Sequence, residues 1–267
     1  MFATINDTTV VKGQSQATII KDSTHDGHRI TTVELLYPRY IHSELLTHRV
    51  FSRNSSSSRA TPIDVLVASA RDPVFFDEVL MNKPGMQGAE PLTPEQLADF
   101  KNDWHQLANY VADWVQTASV KYNIHKQTLN RALEPFTKIR TLVTATDWDN
   151  FFKLRISDDA QPEIRNLALA IKEAMMKSEP KHRDIHAPYV DDPTTIDDDA
   201  IKSSVARCAR VSYGRLNAKP NNLADDIRLY NTLRESHHMS PFEHVAVFDL
   251  GQHANFNGWK SLRCSIE

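Results

Sequence analysis

An α+β fold is what the sequence predicts. Two observations carry that expectation at the strand level: a β-branched and apolar run at residues 30–37 (ITTVELLY), and a second cluster at Val245, Val247 and Phe248. The third is a set of amphipathic stretches between them, the clearest of which opens with a complete helix-start signal. With 40% hydrophobic and 24% charged residues over 267 positions, there is apolar material for one large core or two small ones.

Pro38 ends the first strand. Residues 40–51 then carry Ile41, Leu45, Leu46 and Phe51 at roughly helical spacing, which places His48 and Arg49 near the end of a short helix and a serine run in the loop after it. Pro73, Pro84, Gly85, Gly88 and Pro91 make residues 74–92 an irregular excursion. Thr93, Pro94 and Gln96 form an N-cap, a first-turn proline and a capping-box partner. Leu97, Phe100, Trp104, Leu107, Val111, Trp114 and Val115 follow at three- and four-residue steps, a stripe that suits a packed core or a subunit interface. Residues 160–176 repeat the pattern with Ile164, Leu167, Ala168, Ile171 and Met175. Residues 178–203, rich in proline and aspartate, read as a polar linker, and Leu223, Ile227, Tyr230 and Leu233 mark a last amphipathic helix. No internal repeat is present.

Composition excludes several classes of function. A net charge of −3 and a pI near 6.5 argue against a stable nucleic-acid partner. No apolar run approaches the ~20 residues of a membrane span, and residues 1–14 lack the parts of a signal peptide. Two cysteines, Cys208 and Cys264, have no zinc-site spacing, so no metal is expected and a reduced, cytoplasmic setting fits. Seven glycines form neither GxGxxG nor a P-loop. Any phosphate must therefore be held mainly by side chains.

Thr47–Pro62, THRVFSRNSSSSRATP, gathers His48, Arg49, Arg53 and Arg59 with Asn54 and many hydroxyls, and holds no acidic residue. Guanidinium forks and small hydroxyl donors suit a phosphate-bearing ligand. A solvated serine-rich linker fits the same composition. Two histidines and a glutamate at His238, Glu243 and His244 suggest metal ligands, but Pro241 breaks the geometry of a zincin helix. A turn held by Ser240 and Glu243, or the polar edge of a pocket, remain. Asn150 and Arg155 sit among apolar neighbours, and Arg155 could pair with Asp158 or Asp159 or face a ligand's carbonyl oxygens. Arg131 is either a surface residue or a phosphate contact.

These clusters together resemble the flavin-dependent thymidylate synthase family. The family's RHRxxSxNExSxRY is matched by Thr47, His48, Arg49, Ser52, Asn54, Ser55, Ser57, Arg59 and Ala60. Its ARVSYG block is Ala209–Gly214, and its HxSPFEH block is His238–His244. Its RxxLP, NFLxLR and AQxEIR blocks are echoed by Arg131–Pro135, Asn150–Arg155 and Ala160–Arg165. The order differs: ARVSYG and HxSPFEH come first in the family and last here, as a circular permutation would produce. The expected organisation is a single domain over 1–267, with an N-terminal extension at 1–24, motif blocks at 25–177 and 204–267, and the linker at 178–203.

The resemblance implies an antiparallel sheet flanked by long helices, with permuted motif order. It implies FAD, with NADPH and methylenetetrahydrofolate as co-substrates, and transfer of a one-carbon unit to C5 of a pyrimidine deoxynucleotide such as dUMP, with no cysteine nucleophile. His48, Arg49, Ser52, Asn54, Asn150, Ser240 and Glu243 would line the flavin, with His238 near the nicotinamide or folate entrance. Ser57, Arg59 and Arg131 would hold the phosphate, and Arg155 would stabilise charge on the pyrimidine carbonyls. The family's homotetramer, with sites shared between subunits, implies an oligomer. Four positions depart from its pattern: Thr47 and Ser55 replace Arg and Glu, Ala60 replaces Tyr, and Glu44 replaces Gln. A carboxylate at Glu44 accepts hydrogen bonds but cannot donate, which would favour the amino-bearing edge of cytosine over uracil. Methylation, hydroxymethylation and nucleotide binding without catalysis all remain open at this level.

Overall fold

The β-branched run around Val33 forms the centre of an antiparallel sheet. The computed structural model of the protein describes residues 8–213 and 222–266. In chain order, β1 is Thr9–Lys12, β2 Ser15–His25, β3 His28–Pro38, α1 His42–Leu46, β4 Ser52–Ser55 and α2 Ile63–Arg71. There follow α3 Pro94–Tyr122, α4 Lys126–Leu129, β5 Lys138–Ala145, α5 Asp149–Arg155 and α6 Pro162–Lys177. The last third holds β6 Lys181–His182, β7 Ile185–His186, α7 Asp199–Arg210, α8 Leu223–Glu235, β8 Ala246–His253, β9 Phe256–Ser261 and α9 Arg263–Ile266. The main sheet runs β1-β2-β3-β5-β4, all antiparallel, with β6 pairing in parallel to β2; β7-β8-β9 form a second sheet. The expected α+β class and antiparallel sheet are therefore found.

The two faces of the main sheet differ in chemistry, as period-2 alternation requires. One presents Ala17, Ile19, Val33, Leu35, Ile139 and Val143 to α6, whose Ile164, Leu167, Ala168 and Ile171 are fully buried, and this forms the largest apolar core. The opposite face presents Thr32 and Thr144, and on it rest β7 and the turn before β8. Ser23 and Thr32 flank His186, whose Nδ1 and Nε2 lie 2.9 and 2.7 Å from their hydroxyls. Thr32 meets Thr144 at 2.6 Å, and Thr144 meets His244 Nδ1 at 2.8 Å. Both imidazoles are fully buried. Burial pushes the His244 pKa down from 6.5 to about 3, and holds His186 well below the same ordinary value.

Several expectations are corrected here. Within the extension expected at 1–24, the described residues are not peripheral: Thr9–Lys12 and Ser15–His25 are strands of the main sheet, because Ala17 and Ile19 alternate into the α6 core. Residues 178–203 are not a free linker. They pair with both sheets, and their polar groups satisfy buried partners: Asp192 and the Val190 carbonyl accept from the nearly buried Lys21, and His186 bonds Thr32. The helix expected over 40–51 stops at Leu46, where Arg53 Nη1 takes up the freed carbonyls of Leu45 and Leu46, so His48 and Arg49 lie just beyond it. The capping box of Thr93 and Gln96 forms as expected. Along α3, however, the buried ridge is Ala108, Ala112, Val115 and Ala118, while Leu107 and Trp114 are 48% and 49% exposed. Small residues let α2 approach closely; Trp104 packs against this core, while Leu107, Tyr110 and Trp114 are turned outward.

Because His186 and His244 are neutral when folded and titrate near 6.5 when unfolded, the unfolded chain binds more protons below that pH. Their contribution to stability is complete above pH 6.5 and is lost as pH falls toward 3. Urea unfolding from pH 7 to 4 should show the midpoint falling, and His244→Gln, which stays neutral, should have the shallower slope.

Candidate functional site

The serine-rich segment is ordered, not a linker. Ser52–Ser55 pair with Leu142–Thr144 and Thr141 of β5 as an edge strand, which corrects the loop expected there. Ser56 N donates to the Arg140 carbonyl (2.8 Å), and Asn130 Nδ2 donates to the carbonyls of Ser58 and Thr61 (2.8 and 3.0 Å). The segment is thus fixed at both ends by backbone and amide bonds.

Asn54 joins this segment to the end of α7. Its Nδ2 donates to the Cys208 carbonyl at 2.6 Å, and its Oδ1 accepts from Ser212 Oγ at 2.7 Å. Ser57 N donates to the Ser212 carbonyl at 3.0 Å. The Ala209–Tyr213 part of the ARVSYG block is thereby held against residues 54–57; Gly214 lies outside the described residues. The Ser240–His244 turn, a 3-10 turn with Met239 at its N-cap, completes the wall.

Between these pieces is a cavity of about 330 Å³ lined by Asn54, Ser57, Arg59, Ser212, His238 and Ser240, among others. Among the described residues, no acidic side chain lines it, and Arg59, which is exposed, is the guanidinium. His125 and Gln127 also line it and were missed from the sequence, where they lie in no motif. A second cavity of about 320 Å³ holds Ser52 and Glu243 with Asn255, Arg263 and Cys264 of the C-terminal hairpin and helix. Asn255 Nδ2 donates to Ser52 Oγ (3.3 Å), and Arg263 donates to Glu243 (2.6 Å). Glu243 therefore ties the turn to α9 instead of bracing the turn itself.

Arg155 stands elsewhere. Its Nε donates to His48 Nε2 at 2.9 Å, and its Nη2 to the Glu44 carbonyl and Thr47 Oγ1 at 3.3 and 3.0 Å. It pairs with neither Asp158 nor Asp159; Asp158 lies beside Arg165 instead. Burial, then the charges of Arg155 and Arg53, lower the His48 pKa, so the ring is neutral and Nε2 is free to accept. The Glu44 carboxylate accepts from Ser43. Arg49 and Asn150 are exposed, and Arg131 is 58% exposed in an ion pair with Glu134. None of these residues lines either cavity within one chain.

Comparison with known proteins agrees with the architecture. The family model of the thymidylate synthase complementing protein matches residues 21–181. The crystal structure of PolB, a UMP/dUMP methylase from Streptomyces cacaoi bound with 5-Br UMP, aligns with a TM-score of 0.50 at 14% identity, covering 62% of this chain and 91% of that one, a likeness of fold. Thymidylate synthase X from Helicobacter pylori with FAD and dUMP aligns at a TM-score of 0.38 and 21% identity, over 55% of this chain and 67% of its own. No curated protein matches the chain in sequence.

Asn54→Ala removes two hydrogen bonds at once: the Cys208 carbonyl keeps its bond from Val211 N, and the Ser212 hydroxyl loses its acceptor. Each bond is worth about 1 kcal/mol. Chemical denaturation should show Asn54→Ala losing clearly more stability than Ser212→Ala, which removes one hydrogen bond worth about 1 kcal/mol.

Proposed function

Since the chain belongs to the thymidylate synthase complementing protein family, we propose that it transfers a one-carbon unit to C5 of a pyrimidine nucleotide, with reduced flavin as its redox partner. The observation that carries this reading is the acid-free cavity in which Ser57, Arg59, Asn54 and Ser212 meet. In a chain of net charge −3, a cavity with a guanidinium, hydroxyls and amides but no carboxylate suits a phosphate-bearing ligand. The donor set fits both a nucleotide monophosphate and the polar parts of FAD.

In this reading Ser57 and Arg59 hold the nucleotide phosphate, joined by Arg131. Arg155 faces the pyrimidine carbonyls and stabilises the negative charge they carry in the enolate-type form whose C5 is nucleophilic. Neutral His48 fixes the direction of that guanidinium by accepting its Nε–H, and Arg155 Nη1 makes no hydrogen bond among the described residues. Glu44 lies beside Arg155 and selects the base edge. His48, Arg49, Ser52, Asn54, Asn150, Ser240 and Glu243 line the flavin, and His238 stands at the entrance for NADPH or methylenetetrahydrofolate. Bound FAD would supply hydride and accept electrons from NADPH, chemistry that no side chain here provides.

Cavities of about 330 and 320 Å³ are at the small end for ligand sites and are separate from Arg155. This supports a homo-oligomer, a tetramer in the reading from family resemblance, in which one copy's Arg155 group completes another's phosphate site. The motif order is read as a circular permutation, since residues 209–213 and 238–241 pack beside 54–59 despite the distance in sequence.

Purified protein should bind FAD and show a flavin absorbance band. With NADPH, methylenetetrahydrofolate and dUMP or dCMP, mass spectrometry should find a product one carbon heavier at C5, and its mass separates methyl from hydroxymethyl. Nucleotide binding without flavin or turnover would instead favour a non-catalytic relative. Arg155→Ala should lower turnover about 10²–10³-fold with FAD still bound. Arg59→Ala should mainly weaken nucleotide binding, about 10–100-fold, as loss of a charged hydrogen bond does.

A further inference from the structure

We propose that His25, His182 and Asp184 form a binding site for a divalent transition-metal ion of the zinc class. The three come from separate places: His25 ends β2, His182 is in β6, and Asp184 lies between β6 and β7. Parallel pairing of Thr24 with His182 brings β6 beside the end of β2. One ligand atom from each residue lies within 4.8 Å of the others, and His25 Nε2 is 3.0 Å from Asp184 Oδ1. The two imidazole rings have centroids 4.4 Å apart.

An ion pair accounts for His25 and Asp184 but not for the second imidazole. Two protonated rings at this distance repel, whereas two neutral rings and a carboxylate surround a cation favourably. Metal–nitrogen and metal–oxygen bonds of about 2.0–2.2 Å place ligand atoms roughly 3–3.5 Å apart, so only a small closure is needed. The N₂O donor set suits zinc, cobalt or nickel better than calcium or magnesium. His25 is braced from behind by the Phe248 ring at 3.7 Å, while its Nδ1 is buried with no hydrogen-bond partner among the described residues, Asp26 Oδ1 lying 3.6 Å away. Phe248 N donates to the Asp184 carbonyl at 2.8 Å, which fixes that residue's backbone. Arg183 is turned away, bonded to Asp192 and the Asp22 carbonyl, so its guanidinium does not compete. His182 and Asp184 are exposed, which leaves coordination positions open to water. None of the three lines either cavity, so the ion would act as a clamp between the main sheet and residues 181–184.

The test uses the full chain after chelation and dialysis. Cobalt titration followed by visible absorption, and zinc titration by calorimetry, should each give one equivalent, and zinc should raise the melting temperature. His182→Ala and Asp184→Asn should each weaken binding at least about tenfold, with unchanged circular dichroism, while His105→Ala on α3 leaves it unchanged. No binding at about 100 µM metal, or equal loss in the His105→Ala control, would overturn the site.

Discussion

The molecule depends on how its C-terminal layer sits on the polar face of the main sheet. That face shows threonine hydroxyls, and an apolar layer could not cover them without leaving donors unpaired. Two uncharged imidazoles meet these hydroxyls, with His244 Nε2 left as a buried nitrogen that has no partner among the described residues. His186 bridges Ser23 and Thr32, and His244 meets Thr144, so a continuous row of hydrogen bonds joins the two sheets through β3 and β5. Burial keeps both rings neutral, which removes the cost of an unpaired charge in the interior. Val245, Phe242 and Met239 add apolar packing around α7 and α8, but the row of hydroxyls sets the register.

The candidate site is a consequence of that docking. Once His244 is seated, the Ser240 turn and the end of α7 face β4, and Asn54 closes the gap with one bond to Cys208 and one from Ser212. Two buried or half-buried carboxylates are paired elsewhere. Asp226 is fully buried between Arg207 and Arg210, and Glu34 takes Arg140 and Tyr189. A cavity free of carboxylates results inside a chain that is negative overall. Favourable electrostatics for an anion thus come from where the carboxylates are paired, not from an excess of lysine or arginine.

Legibility in the sequence followed locality. The start of α3 was readable because Thr93, Pro94 and Gln96 act within four residues, and α6 because its apolar face repeats every turn. β2 was missed: its outer half, Lys21, Asp22 and Ser23, reads as polar surface, yet these side chains are buried against Asp192, Arg29 and His186. Residues 178–203 were misread for the same reason. Composition shows that a residue is polar but not that its partner lies 154 positions away, as for His186 and Thr32. Asn54, Ser57, Arg59, Ser212, His238 and Ser240 of the cavity lining stand in motifs; His125 and Gln127 carry no such mark.

By itself, the sequence determined the kind of fold, the helix boundaries written in caps and apolar periods, and the residue types that can meet a phosphate or a pyrimidine. Those depend on interactions within a few residues, or on side-chain chemistry that no fold changes. Tertiary structure alone decided which of these residues meet. It put Ser57, Arg59, His238 and Ser240 around one cavity, Ser52 and Glu243 around another, and Arg155 with His48 apart from both. The physical reason is that such grouping is set by strand order and by hydrogen bonds between distant buried groups. No pattern of neighbouring residues records either.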